Sequence, residues 1–272
     1  MAIPTSDTLF TGSVPELYDS HLVPLIFEPY AVDLARRVAA LAPRRVLETA
    51  AGTGVLTRAM ARALPAGTEL VATDLNQPML DRAAAIGTQR PVQWRQADAM
   101  HLPFGDARFD VVVCQFGVMF FPDKVQAFRE VRRVLRRGGV WLFNVWDRIE
   151  ENQFADTVTA ALATCFPADP PRFMARTPHG YFDWETITRD LANAGFSLGP
   201  GFEVLAGRSQ AASALAPAIA YCQGTPLRNE IETRGAGRLA EVTAACAAAI
   251  AARFGAGPVD AKIQAHIVTA LN

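Results

Sequence analysis

From Arg44 to Trp146 the chain alternates short apolar runs with segments whose apolar residues recur at helical spacing. Residues 44–48, 68–73, 92–97, 109–115 and 140–146 read as strands, and residues 55–64, 76–86 and 123–137 as helices. Strands alternating with helices imply a mostly parallel sheet covered on both faces, a doubly wound α/β fold. The continuous Val111-Val112-Val113-Cys114 run suits a strand buried on both sides. Such sheets bind ligands outside the carboxyl ends of their strands. Three of those ends carry an acid: Glu48, Asp74 and Asp98.

The flanks divide the chain further. Residues 1–14 are expected to be loose, and residues 15–41 to form two helical pieces kinked at Pro24 and Pro29. Beyond residue 147 come helices over 154–166 and 184–194, a strand within 202–205, Ala-rich helices over 211–221 and 238–254, and a last strand over 263–271. The expected organisation is an N-terminal helical lid (1–43), an α/β domain (44–210 and 258–272) and a helical cap (211–257) inserted before the last strand. Five arginines, Arg129, Arg132, Arg133, Arg136 and Arg137, fall at helical spacing and read as a solvated outer face.

Half of the 272 residues are apolar, 19% are charged and the net charge is −1. This composition belongs to a globular protein and gives no electrostatic footprint for nucleic acid. Cys114, Cys165, Cys222 and Cys246 are scattered without a Cys-x-x-Cys pair, as expected of reduced thiols in the cytoplasm. The N-terminal stretch lacks a basic region followed by a long apolar core, and the Ala-rich run 242–252 is too short for a bilayer. No stable membrane insertion is expected, and a homo-oligomer is compatible with the pattern. His21, His101, His179 and His266 show no metal-ligand spacing, so no metal is expected.

The turn after the first strand, Glu48-Thr49-Ala50-Ala51-Gly52-Thr53-Gly54, lets a ligand lie against backbone, where the N–H groups of the helix start can meet it. A triphosphate cradle needs a lysine after its last glycine, and none follows Gly54. A dinucleotide turn wants a third small residue, where Thr57 stands. S-adenosylmethionine has an amino acid head, a sulfonium, a ribose diol and an adenine. Asp74, twenty residues beyond Gly54, is spaced for a diol, and Asp98 can accept from an adenine amino group. Helix capping or turn formation is the competing use of both acids.

The chain resembles the class I S-adenosylmethionine-dependent methyltransferases. The resemblance lies in Leu47-Glu48-Thr49-Ala50-Ala51-Gly52-Thr53-Gly54, in Ala72-Thr73-Asp74-Leu75-Asn76-Gln77-Pro78-Met79-Leu80 and in Gln96-Ala97-Asp98-Ala99-Met100-His101-Leu102-Pro103-Phe104. It continues through Phe109-Asp110 and residues 115–123 to the stretch 130–139, covering about residues 44–146 in the family's order. Within the family it is most similar to the ubiquinone/menaquinone-biosynthesis C-methyltransferases and their small-molecule relatives. The resemblance implies a Rossmann-like methyltransferase fold, with Glu48 and the turn Ala50, Gly52, Thr53 and Gly54 near the methionyl part. It implies Asp74 on the ribose, Leu75 and Met79 around the adenine, and Asp98 with the Ala99 and Met100 backbone at its edge. Gln115 and Phe116 would lie beside the methyl donor. The family usually has glycine where Ala50 stands, which implies a slightly altered turn.

The reading is methyl transfer from S-adenosylmethionine to a small apolar or aromatic acceptor by in-line displacement, with S-adenosylhomocysteine as product. Tyr18, Phe27, Tyr30, Met119, Phe120, His179, Tyr181 and Tyr221 are the candidate acceptor-pocket residues. His179 could deprotonate an acceptor or could be a surface-loop histidine, and no catalytic residue is assigned. Two rivals stand beside this reading. One is a nicotinamide-dependent oxidoreductase, although no tyrosine here has a lysine four positions on. The other is a non-catalytic S-adenosylmethionine-binding protein.

Overall fold

The computed structural model describes residue 7, residues 14–197 and residues 199–272. The expectation of a loose stretch over residues 1–14 therefore falls almost wholly outside the described residues.

The apolar runs form the strands β1 (Arg45–Glu48), β2 (Glu69–Asp74), β3 (Gln93–Gln96), β4 (Phe109–Gln115) and β5 (Leu135–Trp146). These pair in parallel, with β1 between β2 and β4. Two later strands, β6 (Gly201–Ala211) and β7 (Val259–Leu271), complete one seven-stranded sheet in the order β3-β2-β1-β4-β5-β7-β6. Both β5–β7 and β7–β6 are antiparallel. The strand order reverses between β1 and β4, so the ligand crevice of such a sheet belongs at their carboxyl ends.

Alternating residues send the two sides of each strand into two apolar layers. Val46, Val111 and Val113 pack with α2 (Glu28–Ala40) and α3 (Val55–Ala63) through Leu34, Val38, Leu56 and Met60. Leu47, Val112 and Cys114 face the other layer, where Phe128 and Val131 of α5 (Lys124–Val134) lie. That layer continues through α6 (Gln153–Cys165), α7 (Phe173–Arg176) and α8 (Trp184–Asn193). It also takes in α9 (Leu215–Gln223), α10 (Leu227–Arg234) and α11 (Leu239–Phe254), all between β6 and β7. The helix α4 (Gln77–Ile86) runs from β2 towards β3.

Three boundaries differ from the sequence reading. Helix α5 stops at Val134, and Leu135–Arg137 already belong to β5, so Gly138-Gly139 marks an irregularity within a strand and not a helix end. The β4–β5 register shifts there, Gly138 has φ +71°, and a Cβ on Gly139 would lie 2.8 Å from the Arg136 carbonyl. Arg136 and Arg137 consequently leave the helical stripe, and Arg136 pairs with Asp110 at 2.7 Å. Arg133 is no outer-face residue either, since it donates to the Leu102 and Phe104 carbonyls and to Glu130.

The N-terminal segment is not divided into two helical pieces. A helix α1 (Val14–Leu17), a π-helical stretch (Tyr18–Phe27) and α2 follow without a break. The Glu28 N–H reaches back five residues to the Val23 carbonyl. Wider turns of this kind absorb Pro24, whose missing N–H would break an α-helix. The β6–β7 pair is longer than expected: from Val204 the burial of β6 alternates, but its inward positions include Gly207, Ser209 and Ala211, too small or polar to show a strand pattern in the sequence.

Among the described residues no single helix is long and apolar enough to cross a membrane. The helices α10 and α11 reach that composition only together, bent by 118° at their break.

Candidate functional site

Glu48, Asp74 and Asp98 meet at one rim. Glu48 ends β1 and pairs with Ala72 and Val113, while Asp74 ends β2 opposite Gln96. Asp98 follows β3 by two residues. Parallel pairing places all three at the carboxyl margin of neighbouring strands.

The turn from β1 to α3 is built of left-handed backbone. Ala50, Gly52 and Gly54 have φ of +52°, +56° and +83°. A Cβ on Gly54 would lie 2.9 Å from the Trp94 ring and 3.1 Å from Ala83 Cβ, so only glycine fits. The N–H of Gly52, expected to meet a ligand, donates instead to Asp74 at 2.8 Å. The Asn76 N–H donates to the other Asp74 oxygen at 2.8 Å. Burial still pushes the Asp74 pKa up, against those hydrogen bonds. Oδ1 also accepts the Asn76 side-chain amide at 3.5 Å, so Oδ2 is the less occupied acceptor for a ribose hydroxyl.

Glu48 is buried, and burial pushes its pKa up to about 8 although Thr57 and Arg58 favour its ionised form. The Thr57 hydroxyl donates to it at 2.5 Å. The residue that spoils a dinucleotide turn thus has a purpose here, fixing the acid of the first strand. Asp98 divides its carboxylate. Oδ1 accepts the Met100 N–H at 2.9 Å, as a turn-forming acid would, while Oδ2 is buried without a hydrogen-bond partner. Leu75 is half-buried, Met79 is buried, and Met79 Cε lies 3.6 Å from a Cβ placed on Gly52. Ala99 is half-buried and Met100 buried beside Asp98.

At the end of β4, Gln115 has a buried Oε1 without a partner, and Phe116 has φ +51°. Its N–H donates to Asn144 at 2.8 Å, and its ring stacks on Trp146 at 3.8 Å between centroids and 6° between planes. Asn144 and Trp146 close the site from β5, and the sequence reading missed both. Their signal was available: an amide and an indole at the strand end where β1 and β2 carry acids.

The Phe116–Trp146 stack forms part of the wall of a mostly apolar cavity. Tyr18, Phe27 and Phe120 contribute to that wall, with Phe173 and Met174 of α7 and Tyr221 of α9. Four expected pocket residues lie elsewhere. Tyr30 packs edge-on against Phe116 and Trp146 and donates to the Leu205 carbonyl at 3.2 Å. Met119 is buried in the apolar layer. Tyr181 donates to Asp190 at 2.8 Å. His179 is no surface histidine: it is buried near Trp146, with Nδ1 2.8 Å from the Asp147 carbonyl. Burial brings its pKa down to about 4, so the ring is neutral at physiological pH.

Tyr18 belongs to both compartments. It lines the cavity, and its hydroxyl lies 3.9 Å from a Cβ placed on Gly52 and close enough to Asp74 to feel its charge. Asp19 next to it reaches Arg82 at 3.1 Å and Arg58 at 3.5 Å, fastening the N-terminal helix over α3 and α4. The rim therefore offers acceptors in the right number for a nucleoside with an amino acid tail, and the buried Asp98 Oδ2 is the clearest demand for a donor. Among the described residues no cluster of His, Cys, Asp or Glu could hold a metal ion.

The methyltransferase-domain family matches residues 47–143. The ubiquinone/menaquinone biosynthesis C-methyltransferase UbiE of Ralstonia pickettii is 33% identical over 175 residues, covering 60% of this chain and 71% of that protein. The corresponding enzyme of Ectopseudomonas mendocina is 34% identical over 165 residues, which span 56% of this chain and 64% of the relative, just under two-thirds. Among solved structures, YcgJ of Bacillus subtilis superposes with a TM-score of 0.56 at 19% identity over 90% of this chain and 98% of that one. The [4+2]-cyclase SpnF superposes with a TM-score of 0.54 at 20% identity, over 89% and 79% of the two chains. The chain belongs to the class I S-adenosylmethionine-dependent methyltransferases. Within that family it is similar to the UbiE enzymes, and the cofactor that goes with this membership is S-adenosylmethionine. Neither the matched family nor these relatives support the nicotinamide reading.

Proposed function

We propose that the protein transfers the methyl group of S-adenosylmethionine to a small, apolar or aromatic acceptor held in the cavity beside Phe116 and Trp146. The observation that carries this reading is the common rim of Glu48, Asp74 and Asp98 beside an aromatic compartment, with Asp98 Oδ2 buried, without a hydrogen bond among the described residues and 3.7 Å from His101 Nδ1. Glu48 and the turn Ala50–Gly54 take the methionyl part. Asp74 takes the ribose, Leu75 and Met79 flank the adenine, and Asp98 with Ala99 and Met100 holds its edge. Gln115 and Phe116 lie beside the reacting methyl. When bound there, the cofactor would supply a methyl group already activated by the sulfonium charge, with the sulfur as leaving group.

The protein's share is alignment and exclusion of water. The aromatic walls do both. The UbiE relatives act, by their name, in quinone biosynthesis; a ring-bearing acceptor of that general kind suits walls of Phe, Trp and Tyr. The free, mostly buried thiols support a cytoplasmic setting, and the acceptor is a small molecule and not a nucleic acid.

Calorimetry with S-adenosylhomocysteine, followed by transfer of label from methyl-tritiated S-adenosylmethionine into a panel of phenols and quinols, tests the reading. Saturable binding with label in the organic phase supports it. Tight binding of NAD(H) with none of S-adenosylhomocysteine would overturn it, and cofactor binding with no transfer to any acceptor would favour the non-catalytic alternative.

A further inference from the structure

Among the described residues that line the acceptor cavity there is no Asp, Glu, Lys, Arg or His. A carboxylate, phosphate or ammonium placed there would lose its hydration without gaining a counter-ion, at a cost far above that of a neutral group.

Polar atoms on the wall are few, and most are already engaged. The Thr225 hydroxyl donates to the Tyr221 carbonyl at 2.7 Å and accepts the Leu227 N–H at 3.2 Å. The Tyr18 hydroxyl is turned to Gly52 and Asp74. Tyr221 is 2% exposed and lines the cavity, and burial alone, with no hydrogen bond, shifts its phenol. Among the described lining side chains the other donor is the indole N–H of Trp146, whose ring lies flat on Phe116. Burial raises the Tyr221 phenol above its ordinary range, so it stays protonated and acts as a donor. A hydroxyl on an apolar wall that meets a ligand oxygen gains a hydrogen bond that an unsubstituted ring cannot offer.

We propose that Tyr221 is the specificity-determining donor of the acceptor site, selecting an uncharged planar ring that carries an oxygen and rejecting charged rings of the same shape. This rests on the methyltransferase reading for the identity of the site, and it goes beyond that reading in assigning the selection to the α9 side chain. The matched family region, residues 47–143, ends well before Tyr221.

The test uses the full chain saturated with S-adenosylhomocysteine and three probes of one shape: 2-naphthol, naphthalene and 2-naphthoate. Saturation itself is checked first by calorimetry, and its failure would strike the methyltransferase reading, separately from the proposal. With the complex formed, 2-naphthol is expected to bind about tenfold more tightly than naphthalene, and 2-naphthoate not measurably. Tyr221→Phe should bring 2-naphthol down to the level of naphthalene while leaving naphthalene and S-adenosylhomocysteine affinities unchanged. The wild-type comparison stands without the variant, should the variant not fold. Equal binding of 2-naphthoate and 2-naphthol would overturn the proposal. So would a naphthol-to-naphthalene ratio that Tyr221→Phe leaves intact, or a cofactor-loaded protein that binds none of the three probes.

Discussion

Gly117 lies where any side chain would collide with the methyl group of Ala50 and come within 2.8 Å of Cys114 Sγ. The two residues sit on the loops that leave β1 and β4, the strands between which the sheet order reverses. Ala50 holds φ +52° at a position the family usually fills with glycine. The extra methyl is accommodated because the facing loop has nothing but hydrogen to present.

Gly117→Ala should therefore unfold the rim, lowering the melting temperature and abolishing S-adenosylhomocysteine binding. Ala50→Gly alone should stabilise by about 1 kcal/mol, since a left-handed residue loses its Cβ strain. In the double variant part of the Gly117→Ala loss should return, because one of its two clashes is gone. A thermal-denaturation double-mutant cycle reads the coupling, and strict additivity would contradict the contact.

Asp74 and Asp98 should separate under mutation. Asp98→Asn keeps the oxygen that accepts from Met100 but turns the acceptor that makes no hydrogen bond, Oδ2, into a donor. Cofactor affinity should fall by about 1–3 kcal/mol at nearly constant melting temperature. Asp74→Ala should weaken cofactor binding by a similar amount, about 1–3 kcal/mol, and in addition lower stability, because Asp74 ties the Gly52 and Asn76 N–H groups together. Calorimetry and melting curves on both variants make the comparison.

Two buried groups set opposite pH slopes. Glu48 stays protonated in the folded protein to about pH 8, whereas the unfolded chain ionises near its ordinary value of 4.5. Its contribution is complete below 4.5 and drains away as the pH climbs towards 8. His179 does the reverse. Its folded pKa of about 4 lies below the ordinary 6.5, so stability is lost as the pH falls from 6.5 towards 4. Urea titrations across this range should show Glu48→Gln flattening the alkaline decline and leaving the acid side unchanged.

Loosening the N-terminal helix should speed cofactor entry. Asp19→Asn removes the charge that holds Arg58 and Arg82 while leaving Tyr18 in place. Stopped-flow association of S-adenosylhomocysteine should accelerate several-fold. An unchanged rate would mean that the helix does not limit access.

The acids at the rim were legible because strand periodicity locates strand ends, and parallel pairing brings those ends together whatever the side chains do. Local grammar failed where tertiary contacts overrode it. Gly138-Gly139 reads as a helix stop, yet the Asn272 carbonyl accepts the Gly138 N–H at 2.7 Å and draws that segment into the sheet. The π-helical stretch hides behind two prolines that argue for a kink. Residues of the acceptor wall such as Phe173 and Met174 were invisible because no periodic pattern says which loop folds back over which strand. Thr57 could be seen to spoil one ligand class, but not to serve Glu48.

One topological detail has consequences for how such a protein changes over time. The chain leaves the sheet at Ala211 and re-enters at Val259, and those two residues are cross-strand partners. Everything between them, α9 to α11, departs and returns through a doorway one residue pair wide. A different helical cassette could be spliced in at that point without disturbing a single strand. Chemistry at the donor half would be inherited whole, while preference for the recipient could diverge lineage by lineage.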